Sequence, residues 1–323
     1  DNVVTAGTKG RVRFYFKQGF SPWWRTIGGL IGADGGDVTS LIPDSCATHS
    51  TCIDFLSASL TLPVSKIQSD RRAGLSIASG AITAGSGGRT QHALSQELHA
   101  AGMTPNAQSP STDYAFFSDK IARSGAGTAN ILPATLLASG PTAGAATVID
   151  GKTFYVWNLT GDQTITIDPA EWNLTDKNVV ILVNGSITFD TSSPASSLIT
   201  TNANSFLLVV AKDNITFSER IGRTMSGSVA VNDASPVVSG VFVAGQNLII
   251  ADGGNTTPDL QFVGKGMFAG LNGVQLLREF DDGGDGRLLN NLQPAELFIH
   301  DPQMVLNTPD FLETPIIQYQ EIQ

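Results

Sequence analysis

The amino-acid sequence predicts an all-β chain wound as a right-handed parallel β-solenoid, with a partly helical insertion. Three observations carry that expectation. Only 15% of the 323 residues are charged and 7% aromatic, against 34 glycines and 41% hydrophobic residues. A typical soluble domain is about 25% charged, so a charged coiled coil or a solvated helical bundle does not fit, and the apolar content is too high for simple disorder. The second observation is a recurring template: VVILVNGSITFD from Val179, LLVVAKDNITFS from Leu207, GVFVAGQNLIIA from Gly240 and GMFAGLNGVQLL from Gly266. Each unit is an apolar strand, a corner and a second strand, and two strands alone cannot bury their apolar faces, so successive units stack. The third is the corner itself, which holds Gly or Asn, the residues that visit positive φ most readily. A β-sandwich with hairpins at the same corners is the alternative, because Asn184-Gly185 is also a strong hairpin signal. Corners recurring in register favour the solenoid.

Taken from the N-terminus, residues 1–18 form an extension with a strand-like alternation over Arg11, Val12, Arg13, Phe14, Tyr15, Phe16 and Lys17. That strand either pairs within its own chain or leaves it and completes a neighbour's sheet by strand addition. Residues 19–85 hold the first coils, GLIGADGGDVTS from Gly29 and GLSIASGAITAG from Gly74, interrupted by a loop with Cys46 and Cys52. A disulfide closing that loop implies an oxidising compartment; two unpaired thiols are the alternative. Residues 86–146 are the insertion. Leu94 and Leu98 share one face of an expected helix over 91–101 with Gly102 as its C-terminal cap, and a second helical turn is expected over Tyr114 to Ile121. Residues 147–280 form the main solenoid, with one side chain pointing in and the next, small and polar, pointing out. Residues 281–323 form a capping tail.

A net charge of −10 without a basic stripe argues against a nucleic-acid partner. No apolar run approaches the roughly 20 residues of a membrane helix. The chain starts at Asp1 without Met or a leader, which fits a processed, secreted segment. Asp281, Asp282 and Asp285 in a glycine-rich loop are the candidate ligands for calcium, the one cofactor the sequence suggests; a plain acidic turn is the favoured alternative, since the twelve-residue EF-hand pattern with its terminal Glu is absent. His92 and His99 are spaced two helical turns apart and lack the one-turn spacing of a zinc site. Asp162, Asp168, Glu171, Asp190, Asp213 and Glu219 are the carboxylates from which a glycan-cleaving pair could be drawn. Asn158, Asn173, Asn184, Asn214 and Asn255 begin Asn-x-Ser/Thr triplets that can accept glycans in a secreted protein.

The combination of Ser21-Pro-Trp-Trp-Arg-Thr, Gly35-Gly-Asp-Val, Ser40-Leu-Ile-Pro-Asp-Ser-Cys, Gly240-Val-Phe-Val-Ala-Gly-Gln and Asn290-Asn-Leu-Gln-Pro-Ala-Glu-Leu-Phe resembles a group of uncharacterised secreted bacterial surface proteins. The coils are similar in style to bactofilin-type polymer-forming solenoids and to the β-helical parts of pilus-associated proteins. The resemblance implies a secreted structural protein of the cell surface that self-assembles into a filament, a homo-polymer built by coil stacking or strand addition. It implies no active site. A polysaccharide-binding or polysaccharide-degrading β-helix protein, with a glycan partner, is the alternative.

Overall fold

The computed structural model describes residues 24–27, 30–33, 37–40, 75–78, 82–84, 98–101, 113–125, 146–149, 151–167, 171–192, 198–224, 235–253, 259–278, 280, 295–299 and 301–312. In chain order these form β1 (Trp24–Ile27), β2 (Leu30–Ala33), β3 (Asp37–Ser40), β4 (Leu75–Ala78), β5 (Ile82–Ala84), β6 (Leu98–Ala101) and helix α1 (Tyr114–Arg123). There follow β7 (Ala146–Ile149), β8 (Lys152–Thr160), β9 (Gln163–Thr166), β10 (Trp172–Asn173), β11 (Asn178–Asn184), β12 (Ile187–Asp190) and β13 (Ile199–Thr200). The rest are β14 (Phe206–Ala211), β15 (Ile215–Phe217), β16 (Val238–Ala244), β17 (Asn247–Ile250), β18 (Phe262–Gly270), β19 (Gly273–Leu276), β20 (Glu296–Ile299), helix α2 (Pro302–Leu306) and a 3-10 turn at Asp310–Leu312.

The fold is a parallel β-solenoid. Its first wall stacks β8, β11, β14, β16, β18, β2, β4 and β6, and its second stacks β9, β12, β15, β17, β19, β3 and β5. A shorter third row runs through Trp172, Ile199, Val238, Gly264, Phe298 and Thr26 as successive Cα partners. Corners join the walls where the template places them, and the aliphatic position stacks in register: Ile187 on Ile215, Ile215 on Leu248, Leu248 on Val274. Between the walls lies an apolar core whose centre is aromatic. Phe189 stacks on Phe217 at 5.3 Å and Phe242 on Phe268 at 5.1 Å, with Phe262 and Phe298 packed against them from the third row.

The chain does not follow the axis in sequence order. After β18 and β19 the next strands on the first two walls are β2 and β3, which come from the other end of the sequence. On the third row the C-terminal strand β20 follows β18, and β1 lies over β20. The layer beyond β18 is thus assembled from both chain segments. Beyond β8, by contrast, the first wall ends in an antiparallel strand, β7.

Two expectations need correction. The helix expected over 91–101 is not formed at its end: Leu98–Ala101 is β6, paired in parallel with β4 from Leu75↔Leu98 to Ala78↔Ala101. Stacking on a neighbouring coil overrides the helical spacing of Leu94 and Leu98; residues 91–97 and Gly102 lie outside the described residues. The second helix is present as α1, longer than one turn, with Asp113 as its N-cap accepting from Phe116 N at 3.0 Å and Lys120 and Arg123 in the last turn, where cations suit the helix dipole. The in-out alternation with polar outer positions holds on the second wall, Ile249 excepted, and fails on the first. There Val180, Leu182, Leu208, Val210, Val241 and Val243 point outward and are buried with Ile121 of α1, Met304 of α2 and Leu312. A parallel wall covered on both faces needs apolar residues on both, hence the unbroken runs VVILV and FLLVVA.

Candidate functional site

The polar side chains of the described solenoid fall into rows along the axis. On the outer face of the second wall, Thr164, Thr188, Thr216, Ile249, Gln275 and Thr39 are successive Cα partners, with Thr83 next in register after Thr39. Strands of a sheet repeat at about 4.8 Å, so this row is a regular, uncharged strip. Thr39 Oγ1 donates to the Val274 carbonyl at 3.3 Å, tying two coils. At the corner beside it, Asp162 Oδ1 accepts from Ser186 N at 2.8 Å, Asn214 Oδ1 from Asn247 N at 3.0 Å, and Gln246 Oε1 from Asn272 Nδ2 at 3.1 Å. The Asn-x-Ser/Thr residue Asn214 is therefore engaged in the stack, and Asn158 accepts from Tyr114 Oη at 3.2 Å. At the first-to-third corner, Asp176 adopts φ 57 and accepts from Asn202 and Asn204, which hold its carboxyl below the usual carboxylate range.

Of the six carboxylates that could have served a hydrolase, Asp190 and Glu219 are brought near each other, and an arginine stands between them. Arg220 pairs with Asp190 and lies 3.8 Å from Glu219, while Ser218 Oγ also donates to Asp190. Both contacts occupy the Asp190 carboxylate within the protein. Asp162 serves the corner, Asp213 lends its carbonyl to Gln246 N, Glu171 is exposed, and Asp168 lies outside the described residues.

The one unusual charge is inside. Arg278 is 1% exposed and donates from Nε to Ala251 O at 3.0 Å, from Nη1 to Ile221 O at 2.6 Å and Leu260 O at 2.9 Å, and from Nη2 to Ser218 O at 2.7 Å, with its guanidinium over the Phe262 ring. Burial pulls its pKa down to about 10, opposed by Glu296 and other nearby carboxylates, so it stays charged at neutral pH. Glu296, fully buried on β20, accepts from Arg278 N at 2.8 Å through Oε1, while Oε2 has no partner. Burial pushes the Glu296 carboxyl up to about 8, against the opposing pull of Arg278. With neither group open to solvent, the pair braces carbonyls of successive coils and has no route to a substrate. Sequence reasoning passed over both; the available signal was a lone Arg closing a charge-free repeat strand.

Among the described residues no three His, Cys, Asp or Glu side chains gather as a metal site, and no helix is long and apolar enough to cross a membrane. His99 falls on a strand. Asp281, Asp282, Asp285, Cys46, Cys52, Asn255, His92 and the strand Arg11–Lys17 lie outside the described residues. Comparison with protein-family models, curated proteins and solved structures finds no match to this chain.

Proposed function

We propose that the chain is a non-catalytic structural protein of the bacterial cell exterior that self-associates into a filament. The observation that carries this reading is how the hydrogen-bonding groups are used: Asp162, Asn214, Gln246, Asn272 and Thr39 at the outside, and the buried Arg278, serve neighbouring coils. A chain whose polar chemistry is directed at coil-to-coil contact is suited to architecture. Among the described residues β5 and β6 also end their walls with a free edge, the kind of surface on which another strand adds. Electron microscopy of the purified protein beside a variant lacking residues 1–18 tests it. Filaments are expected from the full chain and shorter or no filaments from the truncation; monomers in both samples refute it.

A second reading is favoured by the threonine row alone. Three hydroxyls in register at strand spacing, Thr164, Thr188 and Thr216, suit a repetitive, extended glycan. Binding to insoluble polysaccharide that falls in Thr188→Lys/Thr216→Lys, without release of reducing sugar, is its expected signature. No binding to any of a panel of cell-wall and plant polysaccharides removes it.

A further inference from the structure

Among the described strands, one joint of the stack has no peptide connection across it. From β11 to β19 each coil continues into the next through its own chain, but where β2 and β3 meet β18 and β19, the two sides belong to segments far apart: the Thr39 to Val274 hydrogen bond links residues 235 positions apart. The joint is nevertheless built like every other. Phe268 pairs Ile31 and Ala269 pairs Gly32 on the first wall; on the second, Gly273 to Leu276 pair Asp37 to Ser40 in unbroken parallel register; on the third row β1 lies on β20 from Trp24↔Glu296 to Ile27↔Ile299. A surface that recognises a chain segment by backbone register does not distinguish its own segment from that of an identical molecule.

We propose that this joint exchanges between copies: β1 to β6 of one chain stack on β18, β19 and β20 of the next. The inference rests on the self-association reading and names its contact. Two further features favour it over stacking of intact solenoids end to end. At the β8 end of the first wall, antiparallel β7 occupies the position a following parallel coil would take. The chain joining the exchanging segment to the rest of the solenoid is also longer than the path along the stack requires. It leaves at Ala101 and returns at Asp113 to helix α1, which packs on β11 and β14. The intervening chain can span roughly 40 Å when extended, whereas the five strand steps from β6 to β14 need about 24 Å. Exchange replaces an intramolecular contact with the same contact in another molecule, so it needs no new complementarity; high local concentration, as in a secreted layer, offsets the advantage of the tether. Because the donating and accepting surfaces differ, each added copy leaves one of each free, and the assembly propagates unless it closes into a ring.

The test uses two single-cysteine proteins in a Cys46→Ser/Cys52→Ser background. Thr39 and Gln275 are Cα partners on the outer face at the joint, at a strand spacing of about 4.8 Å that lies within disulfide reach. Thr39→Cys and Gln275→Cys chains are mixed in denaturant, refolded together and oxidised. The expected result is a disulfide-linked pair carrying one chain of each kind, growing with protein concentration and absent when either variant is refolded alone. The Thr39→Cys/Gln275→Cys double variant checks the fold, because it must crosslink within one chain at high dilution. If the serine background does not fold, the same mixing in the native background with non-reducing peptide mapping finds the 39–275 linkage directly. Crosslinking inside the double variant without any in the mixture overturns exchange, and filaments seen by microscopy in that case would leave the self-association reading standing on another contact. Mixed crosslinks confined to closed dimers, with no filament, would keep the exchange and remove the filament.

Discussion

Phe217 tests the proposition that the aromatic centre, and not the outer polar rows, holds the solenoid together. The side chain is fully buried on β15, with ring centroids of Phe189, Phe242, Phe262 and Phe268 at 5.3, 5.2, 5.2 and 6.2 Å. Truncation to alanine removes a transfer term of about 2–3 kcal/mol. The cavity adds about 1–2 kcal/mol, since rings fixed by three separate walls relax only partly. The expected loss is therefore about 4 kcal/mol, near the middle of what buried Phe→Ala changes cost. Thr216, the preceding residue, faces outward on the same strand. Thr216→Ala should stay within about 0.5 kcal/mol of the parent, as surface changes do. Urea unfolding followed by far-UV circular dichroism, with equal slopes required before midpoints are compared, measures both. A Phe217→Ala loss below about 1 kcal/mol, or a Thr216→Ala loss as large as the phenylalanine's, refutes the reasoning.

Glu296 predicts a pH dependence: its folded pKa of about 8 lies above the ordinary value of 4.5, so between those values the folded state binds a proton that the unfolded state has released. Its contribution is neutral below about pH 4.5, turns increasingly unfavourable up to about pH 8 and is constant above; melting temperatures of Glu296→Gln against the parent across pH 5 to 9 should show the variant gaining with pH, and parallel curves would contradict it. Arg278→Met removes the guanidinium donors of the Ala251, Ile221 and Leu260 carbonyls, while the Ser218 carbonyl keeps the Ile221 N–H, and a buried carbonyl left unsatisfied costs about 1–3 kcal/mol; thermal unfolding should show one of the largest losses of any single change, and a parent-like melting temperature would mean that the bracing is dispensable. Gly266 has φ 129, and a Cβ there would lie 2.1 Å from the Gly240 carbonyl oxygen and 2.8 Å from Met304 Sδ, whereas Gly125 at φ 72 has nothing within 4 Å. Gly266→Ala should cost several times the roughly 1–2 kcal/mol of backbone strain expected for Gly125→Ala, as read by urea midpoints.

The sequence showed the repeat because the corners need particular residues and the inward positions need aliphatic ones, both of which are local requirements. The strands from Val179 to Leu276 accordingly stand where the template puts them. It misled at Leu98–Ala101, where Leu and Ala suit either a helix or a strand and a neighbouring coil decides. The outward apolar face of the first wall was legible in principle, since VVILV is too uniformly apolar for a one-sided sheet. Nothing local could disclose which coil stacks on which, because every coil offers the same backbone edge. Arg278 and Glu296 lie 18 residues apart, outside any period, so their approach is a property of the closed chain alone.

The permuted order of the coils also dictates a timetable. Strands β1 to β6 are synthesised before β18 to β20, which define their place in the stack. Until then the early segment has no template, while β8 to β19 can zip sequentially, each coil on the one just formed. Closing so distant a contact makes the final step slow relative to the winding of the middle. A nascent chain would therefore spend its longest wait with β1 to β6 unpaired with their template, a period in which a chaperone has something specific to protect.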